Sequence, residues 1–377
     1  PAVLMLLGPR VNALTPPFLA RRAERDARPA RDGFWYRLSR LVMRHPARIA
    51  LTTTALLIVL GLPFLGIRFT SVDAQVLPES ASARQVDDAL RADFPPFRDS
   101  PVTVVGRGDA EPLAAAAAEL PGAAAVTPAR QLEDGSWTFA VISRAPPLDE
   151  RSQELVRDVR ALPGDVLVTG RTADFLDLQD SLLDHLPLVL AIVVAVTLVV
   201  LFVMTGSVIL PVKQVLMNVL GLSAVFGILV LVFQDGRFEG LLGYTSQGGL
   251  ESTQPLLLFA VAFGLSTDYG VFLLSRIKEA RDAGHSDSEA VAVGLERTGR
   301  IVTAAALLFC IAIGAFVTSQ IIFVKQLGLG TAIAVLIDAT IIRALLVPSL
   351  MELLGKWNWW APAPLARLHA RLGLSET

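Results

Sequence analysis

Long apolar runs, broken by short polar ones, dominate the second half of this 377-residue chain. A bilayer core takes about 20 apolar residues in helical form. Five complete runs meet that length, at 47–67, 186–204, 208–233, 255–275 and 301–320. A sixth, 327–354, is interrupted by Asp338 and Arg343. A soluble domain can bury one such helix, but six in this order predict an α-helical polytopic membrane protein. The last five form a bundle over 185–354.

Between the first and second spans, residues 68–184 carry a different pattern. β-branched or apolar runs at Pro101–Arg107, Ala123–Thr127, Ser136–Ser143 and Asp165–Gly170 predict strands, with Glu133-Asp134-Gly135 as a turn. Ala110–Leu120 and Asp149–Leu162 read as helices, the second capped by Asp149 or Ser152. The order β-α-β-β-α-β predicts an inserted α/β domain of ferredoxin-like type. Near 286–298, alternating apolar and charged positions predict a short amphipathic helix that connects two spans and packs under the bundle.

Composition sharpens the membrane reading. Hydrophobic residues make up 53% of the chain and charged residues 18%, against roughly 25% charged in soluble domains. The net charge of −2 says little, but its distribution sets an orientation. Residues 21–48 hold nine arginines against three acidic residues. The loop at 276–300 and the tail at 355–377 are also basic, and all three fall on one side of the six spans. That side is assigned to the cytoplasm, which places 68–184 outside.

The start of the chain has its own pattern. Pro1-Ala-Val-Leu-Met-Leu-Leu-Gly8 echoes Pro348-Ser-Leu-Met-Glu-Leu-Leu-Gly355. Residues 1–12 are therefore read as the end of a preceding transmembrane helix, and 13–46 as a basic cytoplasmic linker. The echo implies tandem duplication, with this chain as one half.

Several function classes drop out. The single cysteine, Cys310, permits no intrachain disulfide, and the four histidines show no HExxH spacing for a zinc site. There is no GxxxxGK[ST] phosphate loop; Gly328-Leu-Gly-Thr331 lacks the lysine. No GxSxG elbow occurs, and basic residues are not interleaved with aromatics, so neither an enzyme nor a nucleic-acid partner is expected. No cofactor is called for. The proton gradient is left as the energy source.

An ionisable residue inside a lipid-spanning helix is costly unless paired, which makes it a functional candidate. Asp268, Asp338 and Arg343 stand out. Asp268 with Tyr269 forms the expected proton relay, because a carboxylate in low dielectric binds a proton and a phenol passes a hydrogen bond onward. Adjacent helical residues point about 100° apart, so each needs a partner on another helix. The alternative is a structural carboxylate at Asp268 paired with Arg343. Asp338 and Arg343, five apart, are expected on different helix faces, each tying its helix to a neighbour. Ser266 and Thr267 are placed to hydrate Asp268 or to bond back to their own helix.

The run Phe263-Gly-Leu-Ser-Thr-Asp-Tyr-Gly-Val-Phe-Leu-Leu-Ser-Arg276 resembles the signature of the mycobacterial membrane protein large (MMPL) family, within the resistance-nodulation-division (RND) superfamily. Thr298-Gly-Arg-Ile-Val-Thr303, Leu336-Ile-Asp-Ala-Thr-Ile-Ile-Arg343 and Val347-Pro348 follow in order. The resemblance covers about 180–362. It implies a bacterial plasma-membrane exporter of lipids or other hydrophobic molecules, driven by protons and built from two such halves with porter-type domains. It also implies that Asp268 and Tyr269 pair with a Tyr and an Asp of the absent half, with Phe272 an aromatic beside that site. The chain has Gly270 where some similar proteins carry an acidic residue. Trp359-Trp-Ala-Pro362 is most similar to the branch that moves trehalose-linked mycolates. Export of drugs or siderophores, a non-transporting sterol-sensor-like scaffold, and a half-size protein that oligomerises stay open as alternatives.

Overall fold

The computed structural model describes residues 33–94 and 97–372. The expected helix end at 1–12 and most of the basic linker lie outside the described residues. The part of that linker that is described is ordered: Phe34–Met43 forms α1, and the Oη of its Tyr36 donates to Glu289 at 2.8 Å.

α2 (Pro46–Gly61) starts on Pro46, whose missing N–H costs nothing in a first turn. It runs on as a 3₁₀ turn to Gly66, and β1 (Phe69–Thr70) follows. α3 (Ser82–Asp93) leads into the α/β domain. The domain comprises β2 (Val102–Gly106), α4 (Glu111–Ala118), β3 (Ala123–Val126), β4 (Arg130–Gln131), β5 (Trp137–Ser143), α5 (Glu150–Arg160) and β6 (Val166–Thr169). The strands order as β3-β5-β2-β6, all antiparallel, with β4 added to β5. That is the sheet of a split βαβ unit. Asp149 caps α5, its carboxylate accepting from Arg151 N at 3.0 Å. α3 was not legible in the sequence, since none of its residues is buried and it shows no apolar run.

α6 (Arg171–Thr205) begins 15 residues before the apolar run predicted to start at 186. Its 35 residues span about 52 Å, well over a hydrocarbon core of about 30 Å. The surplus turns lie against the sheet. Ala173 and Leu176 join Val104, Phe139, Val141 and Val159 in the domain core. The turn into α6 needs Gly170, at φ +124°, where a Cβ would stand 2.5 Å from Pro101 O. Domain and span are therefore one continuous piece.

α7 (Ile209–Leu229) closes with a π-helical turn to Gln234. α8 (Glu239–Leu242) and β7 (Leu250–Glu251) follow, β7 pairing in parallel with β1. α9 (Gln254–Asp282) carries the signature run. α10 (Asp287–Gly314) is uninterrupted, so the amphipathic stretch near 286–298 is the first half of the fifth span's helix and no separate connector. Nothing breaks it: Ser286 caps its start, and Gly294 and Gly299 pack directly on Ile277 and Trp35. The last span is α11 (Ile322–Leu336), a π-helical stretch over Ile337–Leu346, and α12 (Val347–Leu354). α13 (Ala363–Leu372) ends the described chain.

Six of these helical segments are long and apolar enough to cross a membrane. The most apolar windows of the third and sixth are 61% and 56% buried, and those of the others between 11% and 33%. α7 and the α11–α12 rod thus form the centre, while the outer helices present Leu, Ile and Val to lipid. Close approach at that centre relies on Gly227, where a Cβ would lie 1.9 Å from Leu60 O of α2. Backbone on both sides leaves no side chain to yield. Gly227→Ala is expected to force α2 and α7 apart and lower stability by about 1–3 kcal/mol, read as a lower midpoint of thermal unfolding in detergent.

Candidate functional site

The site is built where α9 crosses α7 and the last span. α9 enters through Gln254-Pro255, and Asp268 follows about 21 Å along the helix at 1.5 Å per residue. That depth is mid-bilayer for an apolar helix of this length. Asp268 is exposed on the outside of the bundle, and among the described residues it has no hydrogen-bonding or ion-pair partner. Tyr269, one residue on, turns inward and is half buried. The two side chains diverge, as a 100° step demands.

Inward of Tyr269 lies a closed polar network. Arg343 Nε donates to Asp338 Oδ2 at 2.6 Å, both side chains 10% exposed or less. This corrects the expectation of separate faces. Five residues on an α-helix are about 140° apart, but Ile337–Leu346 is π-helical, and i→i+5 closure stacks such residues one above the other. The pair therefore forms within one turn. It also removes the alternative of an Asp268–Arg343 pair, since Arg343 is committed to Asp338. Its Nη2 donates to Ser266 O at 2.7 Å, and its Cζ lies 5.3 Å from the centre of the Tyr269 ring, a cation–π distance. Arg343 Nη1 is buried and has no partner among the described residues.

Ser266 connects this pair to α7. Its Oγ lies 2.6 Å from Asp338 Oδ1 and 2.9 Å from Asn218 Oδ1. One hydroxyl proton serves one acceptor at a time, and the ionised carboxylate is the stronger. Asn218 Oδ1 accepts from Gln214 Nε2 at 2.9 Å, and Asn218 Nδ2 donates to Thr267 Oγ1 at 3.3 Å. Ser266 and Thr267 thus bind the neighbouring helix and not Asp268. Phe272 lies one turn beyond Asp268 and packs under Arg276, whose Cζ is 5.8 Å from its ring centre. Gln214 and Asn218 were missed from sequence. Their signal was available as two polar side chains, four apart, inside an otherwise apolar span.

A second polar region lies at the junction of the α/β domain with the bundle. A cavity of about 760 Å³ is lined by Arg68, Arg91 and Arg171 against Asp73, Asp149 and Glu150. Gln75, Gln153, Gln179 and Gln247 are among its other lining residues. Asp73 organises one wall: Arg91 and Arg171 each reach its Oδ2 at 3.4 Å, and Gln247 donates to its Oδ1 at 3.3 Å.

Residues 133–371 match the profile of the MMPL family. A membrane protein of Streptomyces coelicolor, SCO6666, is 41% identical over 368 residues, covering 97% of this chain and 52% of that protein. Trehalose monomycolate exporter MmpL3 of Mycolicibacterium smegmatis is 37% identical over 420 residues, covering 100% of this chain and 41% of that protein. Membrane protein YdfJ of Bacillus subtilis is 30% identical, covering 98% and 52%. The chain spans about half the length of the curated relatives it matches, or somewhat less.

Removing one member of a buried ion pair strands the other charge. Arg343→Ala is expected to lower stability by about 3–5 kcal/mol. Adding Asp338→Asn to that variant is expected to restore part of the loss, which a double-mutant cycle on thermal unfolding measures.

Proposed function

This chain belongs to the MMPL family, and we propose that it forms one half of a proton-driven exporter of lipids or other hydrophobic molecules in a bacterial plasma membrane. The observation that carries this reading is Asp268, a carboxylate at mid-depth on an apolar helix, exposed and unpaired among the described residues. An ionised carboxylate at that position is costly in hydrocarbon. It needs either a proton or a partner from outside this chain. An opposing half with its own Tyr and Asp supplies the partner, and Asp268 with Tyr269 then forms half of a proton relay.

In this reading Asp338, Arg343 and Ser266 hold α9 in register with its neighbours, and the Arg343 guanidinium positions the Tyr269 ring of the relay. Thr267 contributes through Asn218, and Phe272 shields the lower turn. The basic segments at 33–48, 276–300 and the tail face the cytoplasm, which puts the porter-type α/β domain outside. The junction cavity then sits at the outer membrane boundary. Its three cations and three carboxylates cancel, which favours an uncharged polar headgroup. One relative's name, trehalose monomycolate exporter, agrees with a cargo of that chemistry, an envelope glycolipid. Coverage of half the relatives' length supports a partner half within the same protein.

The test is Asp268→Asn in the full-length protein, reconstituted in vesicles with an imposed proton gradient and a fluorescent trehalose glycolipid. Gradient-dependent glycolipid export is expected to fall to the level of protein-free vesicles, with the amount of folded protein unchanged. Retained gradient-driven export sinks the proposal. Proton-driven movement of a small amphiphile, with no glycolipid moved by the unaltered protein, shifts the cargo and leaves the coupling site standing.

A further inference from the structure

Lys213 is a buried amine that the relay described above does not use. It lies four residues into α7, about 6 Å from the helix start, and is 6% exposed. Among the described residues its Nζ makes one hydrogen bond, to Asn358 Oδ1 at 3.4 Å. That amide is neutral, and its Nδ2 is already committed to Met351 O and Gly355 O, each at 2.7 Å. Among the described residues no carboxylate pairs with Lys213. A lysine near a helix end ordinarily snorkels to the interface or meets a carboxylate. This one does neither, and a permanent ammonium there is poorly compensated.

Its other side opens on the ion pair. A cavity of about 10 Å³ is lined by Lys213, Gln214, Gly270, Asp338 and Arg343. That is close to the least volume a water molecule needs, and the lining supplies its polar partners. Two further cavities, of about 10 and 20 Å³, abut the same Asp338, one beside Tyr269 and one beside Asn218. Gly270 keeps the first one open, since a Cβ there would stand 3.1 Å from the Gln214 amide. Water-sized spaces therefore link Tyr269 to Asp338 and Asp338 to Lys213. The charged groups lining the Lys213 cavity are Asp338 and Arg343.

We infer that Lys213 is the exit relay, passing protons from the water-sized cavity beside the Asp338–Arg343 pair to the cytoplasmic end of the bundle. This rests on the reading of Asp268 as the coupling group. A proton arriving on the cavity water from the Tyr269 side passes to the neutral Nζ amine and leaves the water behind as H2O. Asp338 stays the carboxylate paired with Arg343, and Lys213 becomes an ammonium. The ammonium then releases its proton to water at the helix start and returns to the amine. Only O–H and N–H bonds change, and no further reactant is consumed.

The competing role is a fixed cation near the carbonyls that end α12. Arginine fills that role but does not release a proton, whereas histidine does. The experiment places full-length protein in vesicles loaded with a pH-sensitive dye and follows proton entry under an imposed gradient. Each variant is normalised to its monodisperse folded fraction. Lys213→Met and Lys213→Arg are expected to slow proton flux by about tenfold or more, and Lys213→His to keep a measurable share. Full flux in Lys213→Met, or rescue by Lys213→Arg, overturns the inference. Asp268→Asn runs alongside. If it abolishes flux while the Lys213 variants do not, the exit relay alone falls; if it leaves flux intact, the coupling reading falls with it.

Discussion

A carboxylate and a guanidinium meeting at 2.6 Å inside a hydrocarbon-facing bundle set the geometry of everything around them. Neither charge is tolerable alone at that depth, so the helix carrying both must bring them together. The α-helix cannot do so over five residues, and the last span widens to a π-helix over Ile337–Leu346. That widening presents Asp338 Oδ1 to Ser266 and Arg343 Nη2 to the Ser266 carbonyl. Two helices are thereby locked by one residue of the signature run.

With α9 held on its inner side, its outer side becomes predictable. A 100° step from the inward Tyr269 sends Asp268 to the bundle surface, where none of the described residues pairs with it. The same helix begins just after β7, whose parallel pairing with β1 links it to the end of the first span. Asp73 extends that link, holding Arg91, Arg171 and Gln247 from three segments. Since α6 contributes its first turns to the domain core, a shift at the junction reaches both the domain and the bundle. A continuous series of contacts therefore runs from α9 to the α/β domain.

The central helices show why glycine recurs here. Gly227 admits the backbone of α2, and Gly270 leaves room beside the Gln214 amide. Lipid tails are as apolar as leucine, so helices gain little from hydrophobic contact with each other. Close backbone approach and internal polar contacts such as Gln214–Asn218–Ser266 do that binding instead.

The spans were legible in the sequence because crossing hydrocarbon requires a local property, about 20 apolar residues in a row. The split βαβ order was legible for a similar reason, since each short strand and helix carries its own period and its own turn residues. Asp268 also stood out unaided, as a charge in the middle of an apolar span. What only the tertiary structure decided was partnership. That Arg343 takes Asp338, that Ser266 and Thr267 serve α7, and that α6 reaches 15 residues beyond its apolar run all depend on contacts between distant segments. No local period encodes a π-helical turn, because its cost is repaid by an ion pair that exists only once the chain is packed.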